Sequence, residues 1–398
     1  MKRISILLLA ATALAGAACS NEIAQPGDDD DDGTPDPGGD DGSGMAPEDE
    51  WDKILTSRVT DYSAALKIAA LRLTGSIPSL TEINQVADAP DDASKRAAYE
   101  TLLRAYIDRP TFATQMVRLW RDVFKTGGTP ATDTAAVFAA KLTVDNASYM
   151  ELFTKASANC PTFDEATGVF TAAECTNGGP KAGVITNPAL MQQFFGNFAF
   201  RRVRFIQETF DCARFPVPVE LSNTPVDVGG PSPYLNRWPF ASISGPKNAG
   251  GRIDFQDVSA VICANCHATM NHIAPLFAYY DDKGAFQATI SVPTPLEGTP
   301  AAKLSDYTPP TEATAWRYGV PAPDLPALGA AMAADPEIAK CGVARVWNWG
   351  LGKTDIVDTL QEVPVATIQT QLDAFTQNGF KMKDLIFAVF DSDDFVKF

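Results

Sequence analysis

The apolar residues of this chain recur mostly at helical spacing. Between residues 51 and 73 they follow a period of about 3.6 residues, and Gly75 and Pro78 then end the pattern. Ser79 and Glu82 have the spacing of a capping box, which predicts that another helix begins there. Similar patterns, with proline near helix starts and glycine after helix ends, predict helices at 94–108, 111–125, 131–156, 187–211, 254–280, 324–333, 336–351, 364–377 and 381–391.

Two long stretches lack this periodicity. Residues 214–251 are rich in Pro, Gly, Ser and Asn, which favour turns and irregular structure, and residues 286–323 form a second irregular stretch. The first stretch also contains Phe215, Tyr234 and Trp238, aromatic residues that need burial, so we expect it to be ordered by packing contacts. No sequence period of about 20 to 50 residues recurs, which excludes a solenoid. The fold class expected is mainly α, with helical domains and long irregular loops.

The N-terminus has the pattern of an export signal. Two basic residues precede an apolar run at 4–14 that is too short for a stable membrane anchor, and small residues follow, so we expect a signal peptide at 1–18. The sequence Leu-Ala-Gly-Ala-Ala-Cys at 14–19 resembles the lipobox of bacterial lipoproteins, although Gly16 stands where leucine is usual. We therefore expect Cys19 to be lipidated. Ordinary cleavage at an Ala-x-Ala site is the alternative.

Residues 19–50 combine this cysteine with an acidic segment that has almost no apolar side chains. Such a composition cannot bury enough surface to offset the entropy of ordering, so we expect a disordered tether after the anchor. The whole chain of 398 residues has a formal net charge of −17. This charge argues against nucleic acid and anionic membrane surfaces as partners. The membrane contact that we expect is the lipid anchor alone.

One motif indicates a chemistry directly: Cys263-Ala264-Asn265-Cys266-His267. Two thiols three positions apart on a helical turn can each add to a vinyl group of a haem, and the histidine that follows is held beneath the iron. This is the attachment signature of c-type haem. A zinc site would need a second ligand pair at finger spacing, and a thioredoxin-like pair would follow a strand, whereas residues 257–262 resemble a helix start. We expect covalent haem c, with thioether bonds from Cys263 and Cys266 and His267 as the proximal iron ligand.

A sixth iron ligand would have to approach from the face opposite His267. Met332 lies among small residues at 328–334, which would let the backbone come close to a flat ring, so it is the first candidate. Met382, on an amphipathic helix, and His272, five residues after His267, are the alternatives. A haem without a second protein ligand also stays open.

The remaining cysteines predict two disulfides. The chain has 7 Cys, and an even number remains once Cys19 is assigned to lipid and two others to haem. In an exported protein an even remainder indicates disulfide pairs. Cys160 with Cys175 would close a local loop, which leaves Cys212 with Cys341 as a long-range bridge. Free buried thiols are the alternative.

The haem motif continues as Met270-Asn271, then Pro275, then Phe277-Ala278-x-x-Asp281-x-x-Gly284. This run resembles the planctomycete-type cytochrome-c-like domain families of uncharacterised function, which typically read Cys-x-x-Cys-His-x-x-(Ile/Met)-Asp-Pro and later Phe-Asp-x-x-Gly. Here His272 stands where proline is usual. Segments at 201–208, 341–353 and 71–82 are similar to the companion regions of these families. The resemblance covers most of residues 60–398.

The resemblance implies an architecture and a cofactor, without a substrate. We expect an N-terminal helical domain at 51–158, the haem-motif domain at 159–323 and a C-terminal helical domain at 324–398. Arg201, Arg202 and Arg204 are candidates for contact with the haem propionates, with an exposed basic helix face as the alternative. The segment 279–282 would pack near the haem edge or serve as ordinary helix-end packing.

The function expected from these features is that of a lipid-anchored monohaem c-type cytochrome-like protein. It would carry single electrons at the cell envelope, exchanging them with an unidentified redox partner protein. Ser20 after the acylated cysteine favours the outer membrane, facing either the periplasm or the cell surface. A haem-dependent oxidoreductase, for example peroxidase-like, or an electron-feeding subunit is the first alternative, so the sequence does not decide whether the protein is an enzyme. A non-redox surface protein with structural haem is the second alternative.

Overall fold

The helices begin and end at residues that favour helix ends. Between residues 62 and 144 the described helices are α1 (Tyr62–Thr74), α2 (Leu80–Ala87), α3 (Asp92–Ile107), α4 (Pro110–Phe124) and α5 (Thr134–Val144). The side chains of Asp61 and Asp91 accept backbone N–H groups at the starts of α1 and α3. The capping box predicted for Ser79 and Glu82 is present at α2. Gly75, with a φ of 74°, ends α1 in the left-handed conformation that glycine adopts freely.

This computed structural model describes residues 53, 56–213, 261–308, 312–317, 319–352 and 363–398. The predicted signal peptide, Cys19, the tether and the irregular stretch at 214–251 lie outside the described residues. None of the described helices is both long and apolar enough to cross a membrane.

The middle of the chain contains shorter elements around one long helix. Its helices are α6 (Glu151–Thr154), α7 (Pro188–Gln193), α8 (Phe200–Phe210) and the long α9 (Val261–Phe277), with 3₁₀ turns at Gly183–Thr186, Asn197–Ala199 and Leu304–Asp306. Two antiparallel hairpins accompany them: β1 (Thr162–Asp164) with β2 (Val169–Thr171), and β3 (Ala315–Arg317) with β4 (Val320–Pro321). The sequence did not predict these strands, because two or three residues are too short for a periodic pattern.

The C-terminal part is helical again and returns to the start of the fold. Its described helices are α10 (Leu325–Ala334), α11 (Pro336–Gly350), α12 (Val365–Gln377), α13 (Met382–Phe390) and α14 (Asp393–Val396). Val59 and Phe398 exchange two backbone hydrogen bonds of 3.0 Å each. The Tyr99 hydroxyl donates to the Phe390 carbonyl at 2.6 Å. These bonds fix the chain end against the first helices.

One hydrophobic core runs through the three expected domains. Contacts group residues Ser57–Phe398 into one compact unit. Buried residues of this core come from all three segments, among them Leu103, Ile273 and Val389. Helix α10 packs mainly against α6, and α13 packs against both α11 and α3. The expectation of a mainly α fold is therefore confirmed for the described residues, and the C-terminal half of α9 contributes side chains to this core.

Two of the predicted helices are interrupted, so their continuous form was wrong. The helix expected at 131–156 stops after Val144, where Asn146 takes a left-handed φ of 52°. The helix expected at 187–211 is divided into α7 and α8 by a turn in which Phe198 and Ala199 both have positive φ. Asparagine favours the left-handed region, so Asn146 was a sequence signal for the first break. Phenylalanine and alanine do not favour this region, so the second break had no such signal.

Both predicted cysteine pairs lie at disulfide distance. Cys160 and Cys175 have sulfur atoms 1.99 Å apart and bridge the segment on either side of the first hairpin. Cys212 and Cys341 have sulfur atoms 1.95 Å apart and join the end of α8 to α11. These are the pairings that the cysteine count indicated.

Candidate functional site

The cysteine–histidine motif lies at the N-terminal end of α9. Positions 263, 266 and 267 all belong to the helix Val261–Phe277. At about 100° of rotation per residue, these three positions fall within an arc of about 100° on one side of the helix. The side chains of Cys263 and Cys266 lie outside the described part of the chain, whereas the His267 side chain is described.

The His267 ring is oriented by a second side chain of the same helix. Its Nδ1 lies 2.9 Å from Oδ1 of Asn271, one helical turn further on. The Asn271 Nδ2 group in turn donates to the Tyr307 carbonyl at 2.7 Å, and Asn271 is fully buried. Because a carbonyl can only accept, this second bond fixes which end of the amide faces the ring. Nδ1 therefore donates to Oδ1, and the lone pair of the imidazole is on Nε2.

The electrostatics of the site favour a neutral imidazole. Burial lowers the pKa of His267 below its ordinary value, while the hydrogen bond to Asn271 acts in the opposite direction. A histidine ligand must be neutral to offer its lone pair to a metal. The ring is thus in the protonation state and tautomer that binds a metal through Nε2.

Aromatic side chains pack beside the imidazole. The Phe200 ring meets the His267 ring nearly perpendicularly, at 86°, with centroids 4.7 Å apart. Phe198 and Tyr307 pack edge-on to each other at 5.7 Å, and Phe200 lies 5.9 Å from Tyr307. Edge-to-face contacts of this kind fix ring orientation as well as burying area. The histidine is consequently held by a hydrogen bond on one nitrogen and by ring packing at its side.

The backbone that places Phe200 is strained. Phe198 and Ala199 have φ values of 56° and 58°, and both side chains are buried. The Phe198 N–H donates to the Pro293 carbonyl at 3.2 Å, and the Ala199 N–H to the Gly196 carbonyl at 3.2 Å. A non-glycine residue held in this region costs about 1 to 3 kcal/mol, and such residues cluster at functional sites. Here the turn starts α8 with Phe200 against the histidine.

Arg202 has a role that neither sequence interpretation anticipated. It is fully buried rather than on an exposed face. Its guanidinium group donates to the carbonyls at and just after the end of α9, at 2.7–2.8 Å, and to the Met191 carbonyl at 2.6 and 2.9 Å. Burial lowers the pKa of Arg202 to about 10, so the group is still charged at neutral pH. Within the described part of the chain, Arg202 clamps the end of the motif helix. Arg201 and Arg204 are exposed, and their contact with haem propionates stays a prediction.

The loop after α9 is shaped by two residues of the family-like run. Asp281 Oδ1 accepts the backbone N–H groups of Lys283 and Ala285, both at 2.9 Å. Gly284 has a φ of 74°, and a Cβ atom there would lie 2.4 Å from the Pro188 carbonyl oxygen. Tyr280 is buried and packs edge-on to Phe286. Tyr280 and Asp281 thus contribute packing and hydrogen bonds just after the helix end, and their place near a haem edge stays a prediction.

His272 lies on a different side of α9 from His267. Five helical positions separate the two residues, which is a rotation of about 140°. The His272 ring is buried, and its Nε2 lies 2.7 Å from Glu312 Oε2. This nitrogen is therefore engaged with a carboxylate on the far side of the helix from the His267 position.

Met332 and Met382 are both buried in the core. In α10 the small residue Gly329 lies against α6, since a Cβ there would be 2.1 Å from the Phe153 carbonyl oxygen. The small residues around Met332 thus allow the close approach of α10 to α6. Met382 borders a small void beside Trp120, and core packing accounts for its position. Met332 as a sixth ligand stays a prediction.

The residues present fit a c-type haem. The donor set is one neutral histidine with its lone pair on Nε2, and two cysteine positions occupy the preceding helical turn. Second-sphere hydrogen bonding to the other ring nitrogen is the usual support of a histidine ligand. Sequence reasoning missed Asn271, Phe200 and Tyr307 in this role. The i,i+4 spacing of His267 and Asn271 on one helix was the available signal for the first of them.

No protein-family model, curated protein or solved structure matches this chain. The resemblance to cytochrome-c-like families accordingly depends on the motif residues of the sequence.

Proposed function

We propose that this protein is a lipid-anchored c-type monohaem cytochrome-like carrier of single electrons at the cell envelope. The observation that carries the proposal is the tautomer of His267: within a Cys-x-x-Cys-His motif, Asn271 holds this ring with its proton on Nδ1 and its lone pair on Nε2. When bound, haem supplies a one-electron iron couple.

Each residue of the site has a part in holding this group. Cys263 and Cys266 would form the thioether bonds, and His267 would bind the iron through Nε2. Asn271 orients the imidazole, and Phe200 packs against its side. Arg202 holds the far end of the same helix, so the motif is mounted on a rigid element rather than on a loop.

The proposed compartment agrees with the cysteine chemistry. Two disulfides in one chain are typical of exported proteins, because cytosolic thiols are kept reduced. Covalent haem attachment also takes place after export. The disulfides thus support export, and we further propose an anchor at the outer membrane through lipidated Cys19, with a redox protein as the partner.

A redox titration with a peroxide challenge tests the function. We expect purified, exported protein to show a reversible one-electron couple in its absorption spectrum and no turnover of peroxide. Turnover would instead identify a haem oxidoreductase of the peroxidase kind. A bound haem that neither titrates reversibly nor turns over would mean a structural group in a non-redox surface protein.

A further inference from the structure

The hydrogen-bond acceptor of the His267 ring is a neutral amide inside the protein. Asn271 is fully buried, and both ends of its side chain are used: Oδ1 by His267 Nδ1 at 2.9 Å and Nδ2 by the Tyr307 carbonyl at 2.7 Å. Rotation of the amide by 180° would set two donors, Nδ2 and Nδ1–H, against each other. It would also bring two acceptors, Oδ1 and the Tyr307 carbonyl oxygen, together at the other end. The orientation is therefore determined by the Tyr307 carbonyl.

The charge of this acceptor matters for any metal on the opposite ring nitrogen. A carboxylate acceptor pulls the Nδ1 proton and makes the ring a stronger electron donor to the metal, which favours the oxidised metal. An amide oxygen pulls this proton less. Without an acceptor at Nδ1, the tautomer of the histidine is not fixed. The ring then also gains no basicity from a hydrogen bond at that nitrogen.

We propose that Asn271 is a positioning residue that selects the Nδ1–H tautomer of His267 and, as a neutral acceptor, keeps the reduction potential of the bound iron above the value that a carboxylate would give. This inference rests on the proposed function for its second half. The first half concerns only the protein and holds with or without haem.

The tautomer is measured on the full chain produced without haem attachment. The chain has only 2 His, so long-range ¹⁵N–¹H NMR of labelled protein shows two imidazole rings, and a His272 variant assigns them. We expect the wild-type His267 proton on Nδ1 and a mixture of tautomers in Asn271→Leu. A wild-type proton on Nε2, or an unchanged tautomer in the variant, would overturn the first half.

The potential is measured on the haem-loaded protein and its variants. In Asn271→Asp, at a pH at which the introduced carboxyl is ionised, we expect the midpoint to move by at least about −59 mV, which corresponds to a tenfold excess of the oxidised form at the wild-type midpoint. Asn271→Leu is expected to shift the potential in the opposite direction. Thr269→Val is the matched control, since Thr269 is a buried polar residue of the same helix without a hydrogen bond from its hydroxyl. The control should keep the wild-type potential.

The outcomes separate this inference from the proposed function. Haem-loaded variants at Asn271 whose potentials do not differ from that of Thr269→Val would overturn the positioning role and leave the electron carrier standing. A chain that takes up no haem would overturn the proposed function, while the NMR measurement would still decide whether Asn271 selects the tautomer. Circular dichroism of each variant checks that the helical fold is retained, and Asn271→Asp keeps nearly the shape of the native side chain.

Discussion

Replacing Arg202 with methionine removes the clamp at the end of α9 and leaves its carbonyl partners buried. The Phe277 and Asp281 carbonyls also accept backbone N–H groups at 3.3 and 3.2 Å. We therefore count the loss at the Met191 and Tyr280 carbonyls only. A buried polar group left without its partner costs about 1 to 3 kcal/mol, so two give about 2 to 6 kcal/mol. Domains of ordinary stability have about 5 to 15 kcal/mol in total.

Urea unfolding followed by circular dichroism measures this change. Arg202→Met should lower the midpoint strongly, and Arg202→Lys should fall between, because lysine keeps the charge but has three donors instead of five. Arg201→Met is the matched control on the same helix: its guanidinium is exposed and donates to the Phe195 carbonyl at 3.2 Å. We expect about 1 kcal/mol or less from the control. Equal losses for Arg201→Met and Arg202→Met would refute the clamp.

Two further predictions concern the stability of the fold. Cys341→Ser should lower the free energy of unfolding by about 5 kcal/mol and Cys175→Ser by about 3 kcal/mol, because the bridged segments span 129 and 15 residues; the reverse order in urea unfolding would contradict this. Burial raises the pKa of Asp211 to about 8 against the opposing charge of Arg317, with Asp335 adding to the rise. The folded state then holds a proton that the unfolded carboxyl, with a pKa of about 3.9, releases. The free energy of unfolding should fall from pH 4 to 8, and a slope unchanged in Asp211→Asn would assign the effect to another group.

Most helices could be predicted because each one carries its own signals. Ser79 with Glu82, Pro110 and Pro336 lie at the starts that they indicate, and these are local effects of one or two residues. The turn at Phe198 and Ala199 could not be predicted, since neither residue favours positive φ. A contact from a distant segment, the Pro293 carbonyl, is part of what holds it.

The candidate site could likewise be predicted only in its local features. The motif Cys263 to His267 indicates its chemistry from spacing alone, and its place on a helix is confirmed. The burial of Arg202 depends on carbonyls as distant as Met191 and Asp281, so its basic neighbours in sequence pointed to a surface instead. Asn271 receives its role from Tyr307, 36 residues away.

Covalent haem is the central claim, and intact mass of the exported protein tests it most directly. The protein is produced alongside a competent c-type haem maturation system and its mass is measured after denaturation. We predict the polypeptide mass plus one haem, and a loss of stable attachment in the double variant Cys263→Ala with Cys266→Ala. A mature wild-type mass without haem under these conditions would contradict the account.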